Sequence, residues 1–100
     1  MKIEIIKIGI WLYDGAIEKP IDIIRFDFDW WYEMAKSEGT LEADEQPASP
    51  GDDGYIYYVR IQRALETEGP TWVESYGDQT IDQAVKTAES KVAGGVVWKS

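Results

Sequence analysis

The chain has 100 residues, one domain's worth, 44% of them hydrophobic and 29% charged, and a net charge of −9 at pH 7. It contains no cysteine and no histidine, which excludes disulfides, thiolate metal sites and thiol nucleophiles and removes the usual neutral-pH acid–base group. No apolar run approaches the ~20 residues of a membrane span, and five tryptophans with six tyrosines are the departure from ordinary composition.

Residues 2–13 read as a first strand. Ile6, Ile8, Ile10 and Leu12 share one face, while Ile3, Ile5, Trp11 and Tyr13 share the other. The apolar set changes face near Ile5 and Ile6, which predicts a bulge or cover on both sides. This segment has a superficial export-signal look, but Glu4 and Lys7 interrupt it. The expected location is cytoplasmic. Asp14-Gly15 is a turn signal, and Pro20 is expected to open a second strand over 21–35. Its even positions, Ile24 through Met34, are apolar for six consecutive alternations. That run is long against the ~5–6 residues of a common strand, so a bend is expected within it.

The segment 37–53 is acidic, with Pro47, Pro50 and Gly51, and reads as a long, mobile loop. A third strand follows over 55–64, with Tyr55, Tyr57, Val59 and Ile61 opposite Ile56, Tyr58, Arg60 and Gln62. "WVESY", residues 72–76, reads as a fourth. Thr80-Ile81-Asp82-Gln83 fits a capping box. Ile81, Ala84, Val85, Ala88 and Val92 then form the apolar stripe of a helix that Gly94-Gly95 ends. "VVWK", residues 96–99, is a candidate short final strand. The predicted fold is α+β: one domain over 1–100, a four- or five-stranded antiparallel sheet in the order β-β-β-β-α with a possible last β, and one C-terminal helix packed on one face.

The charge is unevenly placed. Asp14 to Asp53 holds twelve acids against Lys19, Arg25 and Lys36, and the rest of the chain holds seven of each sign. Such a field repels nucleic acid and anionic lipid and favours a basic protein partner. As a strand, residues 25–33 would line up Arg25, Asp27, Asp29, Trp31 and Glu33 on one face, with same-face carboxylates roughly 6.6–6.8 Å apart. With Tyr13 and Tyr58 as aromatic support, these seven residues are the candidate partner-binding site of a non-enzymatic interaction module. The competing reading of the row is a solvated strand face that resists edge association and binds nothing. The alternative function is a homodimer through an exposed aromatic sheet face. A carboxylate-based or metal-dependent enzyme stands third, with Asp29 and Glu33 as the available pair. Against it, the sequence has no nucleophile elbow, phosphate-binding glycine loop or HExxH motif. "DEQPASPGDDG" lacks the spacing of a calcium loop. Neither a cofactor nor a metal is expected.

Overall fold

The structure, a computed structural model, describes residues 3–63, 65–66 and 71–99. The elements run β1 (Glu4–Tyr13), β2 (Ile17–Phe26), α1 (Trp30–Glu38), β3 (Ile56–Ile61), β4 (Trp72–Val73), α2 (Ile81–Lys91) and β5 (Val97–Trp98). The strands form one antiparallel sheet in the order β4-β3-β2-β1-β5. The α+β class with a five-stranded antiparallel sheet therefore stands. The element order does not, because a second helix, α1, interrupts the expected run of four strands.

The β1–β2 hairpin closes as its sequence dictates. Asp14 and Gly15 both take positive φ, 54° and 69°, as primed hairpin turns require. The Ala16 N–H donates to the Tyr13 carbonyl at 3.1 Å. Because the turn is tight, β2 begins at Ile17, and Pro20 lies inside it rather than at its start. The Pro20 carbonyl accepts from the Gln62 N–H at 3.1 Å. The missing proline N–H therefore faces the side where the β3 ladder has already ended at Ile61. At the other end the β1–β2 register shifts between Ile5 and Lys7, the bulge foreshadowed by the change of apolar face. It leaves Ile5 opposite Ile24 and turns Ile6 to the other side of the sheet.

Alternation along β2 and β3 fills both faces. Trp11, Ile21, Ile23, Tyr57, Val59 and Ile61 form one buried cluster that includes Ala84 and Ala88 of α2. Ile24, Phe26, Ile56 and Tyr58 form the other, with Phe28, Trp30 and Val73 against them. Each fully buried aliphatic side chain, such as Ile23 or Val59, contributes about 1.5–3 kcal/mol of transfer free energy.

The helix α1 replaces the second half of the expected strand, and local chemistry explains why. Asp29 is extended (φ −75°, ψ 105°) and its carboxylate accepts from the Tyr32 N–H, an N-cap. Glu33 in the first turn and Lys36 in the last suit the helix dipole. Gly39, at φ 72°, ends the helix by donating to the Ala35 and Lys36 carbonyls. Trp30, Trp31, Met34 and Ala35 fall at i, i+1, i+4 and i+5, which suits a helix as well as alternation suits a strand.

The later elements are shorter than their sequence suggests. In α2, Thr80 accepts from the Gln83 N–H at 3.1 Å, but the Gln83 side chain takes the Gln79 N–H at 3.2 Å rather than that of Thr80. The helix stops at Lys91, and Val92 turns extended to join the core. Gly94 and Gly95, at φ 80° and 78°, form the turn into β5 instead of the helix cap. β4 ends at Val73 because the Ser75 hydroxyl takes over its ladder role, accepting from the Val59 N–H at 2.9 Å.

Candidate functional site

The seven residues expected on one surface are dispersed. The strand carrying Arg25 ends at Phe26, so Arg25, Asp27, Asp29, Trp31 and Glu33 do not form a row. In the β1–β2 ladder Tyr13 stands opposite Ile17 beside the turn, while Arg25 stands opposite Glu4 at the open end. Tyr13 is half-buried there, edge-on to Trp11 at 6.2 Å. Tyr58 is fully buried, and its hydroxyl accepts from the Trp30 N–H at 2.8 Å. Burial raises the Tyr58 pKa to about 12, so the hydroxyl stays neutral. It pins the start of α1 and is not a surface contact.

Arg25 is also committed. It pairs with Glu4 at 3.0 Å and lies over the Tyr55 ring at 3.9 Å. Hydrogen bonds to Tyr57 and Glu4 hold its guanidinium above the usual arginine range. The Tyr57 hydroxyl donates to Asp53, and that bond is the main reason the Asp53 carboxyl lies below its ordinary range. Burial, then the same bond, raises the Tyr57 phenol. A chain Glu4–Arg25–Tyr57–Asp53 thus links β1, β2 and β3 to the end of the acidic loop. Asp29 ties the same loop from the other side, its second oxygen accepting from the Ala48 N–H at 2.8 Å. Gln79 donates to the Ser49 carbonyl at 3.1 Å. A Cβ on Gly51 would fall 2.1 Å from the Gln79 carbonyl oxygen, so only glycine permits this seating of the loop beside α2.

What remains on the surface is Asp27, Trp31 and Glu33. Asp27 is exposed in the bend after β2, and Glu33 is exposed on α1. Trp31 is 38% exposed, donates from its indole N–H to the Ser75 carbonyl at 2.6 Å, and lies 6.0 Å from the Tyr76 ring. Positions i and i+2 leave a helix in different directions, so Trp31 and Glu33 bracket α1 instead of sharing a side. Tyr76, 89% exposed, joins this aromatic pair without having been singled out as a site residue. It lies beyond the end of β4 at Val73, and nothing in the sequence marks it as exposed. From Asp27 to Asp53 there are nine acids and one base. Among the described residues the arginines' direct ion pairs are with Glu4, Asp22 and Glu74, outside that segment, and only Asp53 within it feels Arg25, through Tyr57.

Most rings of the expected aromatic sheet face lie in the core, while Trp72 of β4 is 55% exposed. Trp11, Tyr57 and Tyr58 are buried, and Tyr13 and Tyr55 pack against the first cluster. Exposed aliphatic side chains also stand on the sheet, Ile5, Ile8 and Leu12 of β1 among them. Among the described residues no three carboxylates gather as a cation site, and no helix is long and apolar enough to cross a membrane. Comparison with protein-family models, with curated proteins and with solved structures found no match.

Proposed function

We propose that this protein is a non-enzymatic interaction module that docks a cationic protein partner on the surface of residues 27–53. Charge carries the reading. Asp27, Glu33, Glu38, Glu42, Asp44, Glu45, Asp52 and Asp53 are all exposed, with Lys36 as the one base among them. A field of one sign over a continuous segment steers an oppositely charged partner and sets association rate and selectivity more than final affinity. The exposed Trp31–Tyr76 pair, which borders a hollow shared with Arg63, Glu74 and Lys91, supplies an apolar anchor at the edge of that segment, of the residue types that dominate binding energy at interfaces. Arg25, Asp29 and Tyr58 serve the module by holding α1 and the loop in place, not by touching the partner.

The test is affinity capture from source-cell lysate at low and high salt, with wild type and an Asp27→Ser/Glu33→Ser/Glu42→Ser variant. The three positions are exposed and none caps a helix, so the variant should fold, with α1 losing only the dipole contribution of Glu33, about 0.3–1 kcal/mol. A basic protein retained by wild type at low salt, and lost both at high salt and with the variant, is the expected result. Equal retention by the variant would remove the acidic segment as the docking surface.

A further inference from the structure

Three charged side chains border one space beside the β4 edge. β3 ends at Ile61 and β4 at Val73, so Arg63 and Glu74 lie just past their strands, and Lys91 is the last residue of α2. The Arg63 Nε donates to Glu74 Oε1 at 2.5 Å. The Lys91 ammonium has no ion pair among the described residues. These three residues line two hollows of about 350 Å³ each, to one of which Trp31, Val73 and Tyr76 contribute and to the other Trp11, Ile61 and Val92. That size falls at the lower end of small-molecule sites, ~300–1,000 Å³.

We infer that the hollow at Trp31 and Tyr76 binds a small carboxylate with an apolar body. The carboxylate lies between Lys91 and the Arg63 Nη groups, and the body rests on the two rings, whose centroids are 6.0 Å apart with planes at 48°. Charge selects the head group. The lining holds two cations against one acid, a local excess of one positive charge in a chain of net −9. Glu74 and, more weakly, Glu66 are the acids that act on Arg63. The bond to Glu74 uses only the Nε, and guanidinium carries five donors, so the Nη groups serve a second carboxylate. One excess charge suits a monoanion better than a phosphate monoester, which carries roughly −1.5 to −2. A cation would meet two like charges and a glutamate already paired with one of them.

The rings select the body. The Trp31 indole N–H is fixed on the Ser75 carbonyl at 2.6 Å, so the aromatic ledge is in place before a ligand arrives, and a preorganised surface loses little freedom on binding. Val73 adds aliphatic surface beside it. At about 0.1 M salt the Debye length is ~10 Å, so acids of the 27–53 segment beyond that distance weigh little here. The hollow takes the charge opposite to the one the acidic segment attracts, and the inference does not rest on that segment's role.

Titration of the full chain with 3-phenylpropionate, 3-phenylpropanol and 3-phenylpropylamine tests this with no protein partner present, so its outcome is separate from that of the acidic surface. The three probes share one apolar body and carry a negative, a neutral and a positive head group at neutral pH. The readout is the Trp31 indole N–H resonance in a heteronuclear NMR spectrum. The carboxylate is expected to bind roughly two- to fivefold more tightly than the alcohol, and the amine most weakly. High salt should shrink that preference. Lys91→Gln is expected to remove most of the carboxylate's advantage and to leave alcohol binding unchanged. Lys91 is exposed at the helix end, so the folded amide spectrum should persist and certify the variant. Three probes that bind alike, an amine that binds best, or a preference that survives Lys91→Gln would each overturn the inference. So would a Trp31 resonance that none of the probes moves.

Discussion

Asp29 decides whether residues 30–38 are held as a helix, and Asp29→Ala measures its worth. The carboxylate makes two bonds, to the Tyr32 N–H at 3.1 Å and the Ala48 N–H at 2.8 Å. Losing an N-cap costs about 1 kcal/mol, and the second charge-assisted bond adds roughly 1–2 kcal/mol at an exposed site. The total of about 2–3 kcal/mol is large for a helix that buries none of its own residues. It therefore appears as local opening of α1 and the loop, with little change in the sheet. Amide hydrogen exchange is the assay. Protection at Tyr32 and Ala48 should fall by roughly 30-fold or more, since ~1.4 kcal/mol is a factor of ten, while Ile23 and Val59 hold. Asp29→Ser should keep the Tyr32 bond and lose the Ala48 bond, because serine offers one oxygen. Unchanged protection at both amides in Asp29→Ala would refute the capping argument.

Three further outcomes follow from the core. Gly77 has φ +110°, and a Cβ there would lie 2.6 Å from Ile56 and 3.0 Å from Tyr58, so Gly77→Ala should cost about 2 kcal/mol or more in urea unfolding. Ala88 is fully buried among the first cluster's side chains, and Ala88→Leu should destabilise by about 1–3 kcal/mol through overpacking. Wild-type stability in either variant would contradict the packing described. The Tyr58 pKa is raised from 10.0 to about 12. The unfolded chain then releases that proton first as pH rises, and stability should fall between about pH 10 and pH 12. Tyr58→Phe should flatten that part of the stability profile; a slope unchanged by the substitution would show that other tyrosines produce it.

The hairpin, the bulge at Ile5–Lys7, the third strand and the Thr80 cap were legible because each rests on neighbours in sequence. Asp14-Gly15 needs only its own backbone geometry, and Thr80 needs only Gln83. The segment 25–38 was misread because alternation and helical spacing coincide there. Trp30, Tyr32 and Met34 satisfy one period, while Trp30, Trp31, Met34 and Ala35 satisfy the other. Asp29 as a cap and Gly39 as a stop arbitrate between them, but they compete with a hydrophobic pattern of greater apparent length. The site inherited that error, since one strand face required five residues that the helix scatters. Tyr58 and Arg25 were lost for a different reason. Their partners, the Trp30 amide, Glu4 and Tyr57, come from distant positions that only the sheet register brings together. The excess of acids over 27–53 survives the change of secondary structure, because exposure of those carboxylates does not depend on strand or helix.

If the 27–53 carboxylates steer a cationic partner, ionic strength governs how fast the reconstituted pair associates. The rate constant is predicted to fall steeply as salt rises, and to lose most of that slope in Asp27→Ser/Glu33→Ser/Glu42→Ser, while the dissociation rate changes little. An association rate indifferent to salt, or a variant with the same slope as wild type, would contradict the account.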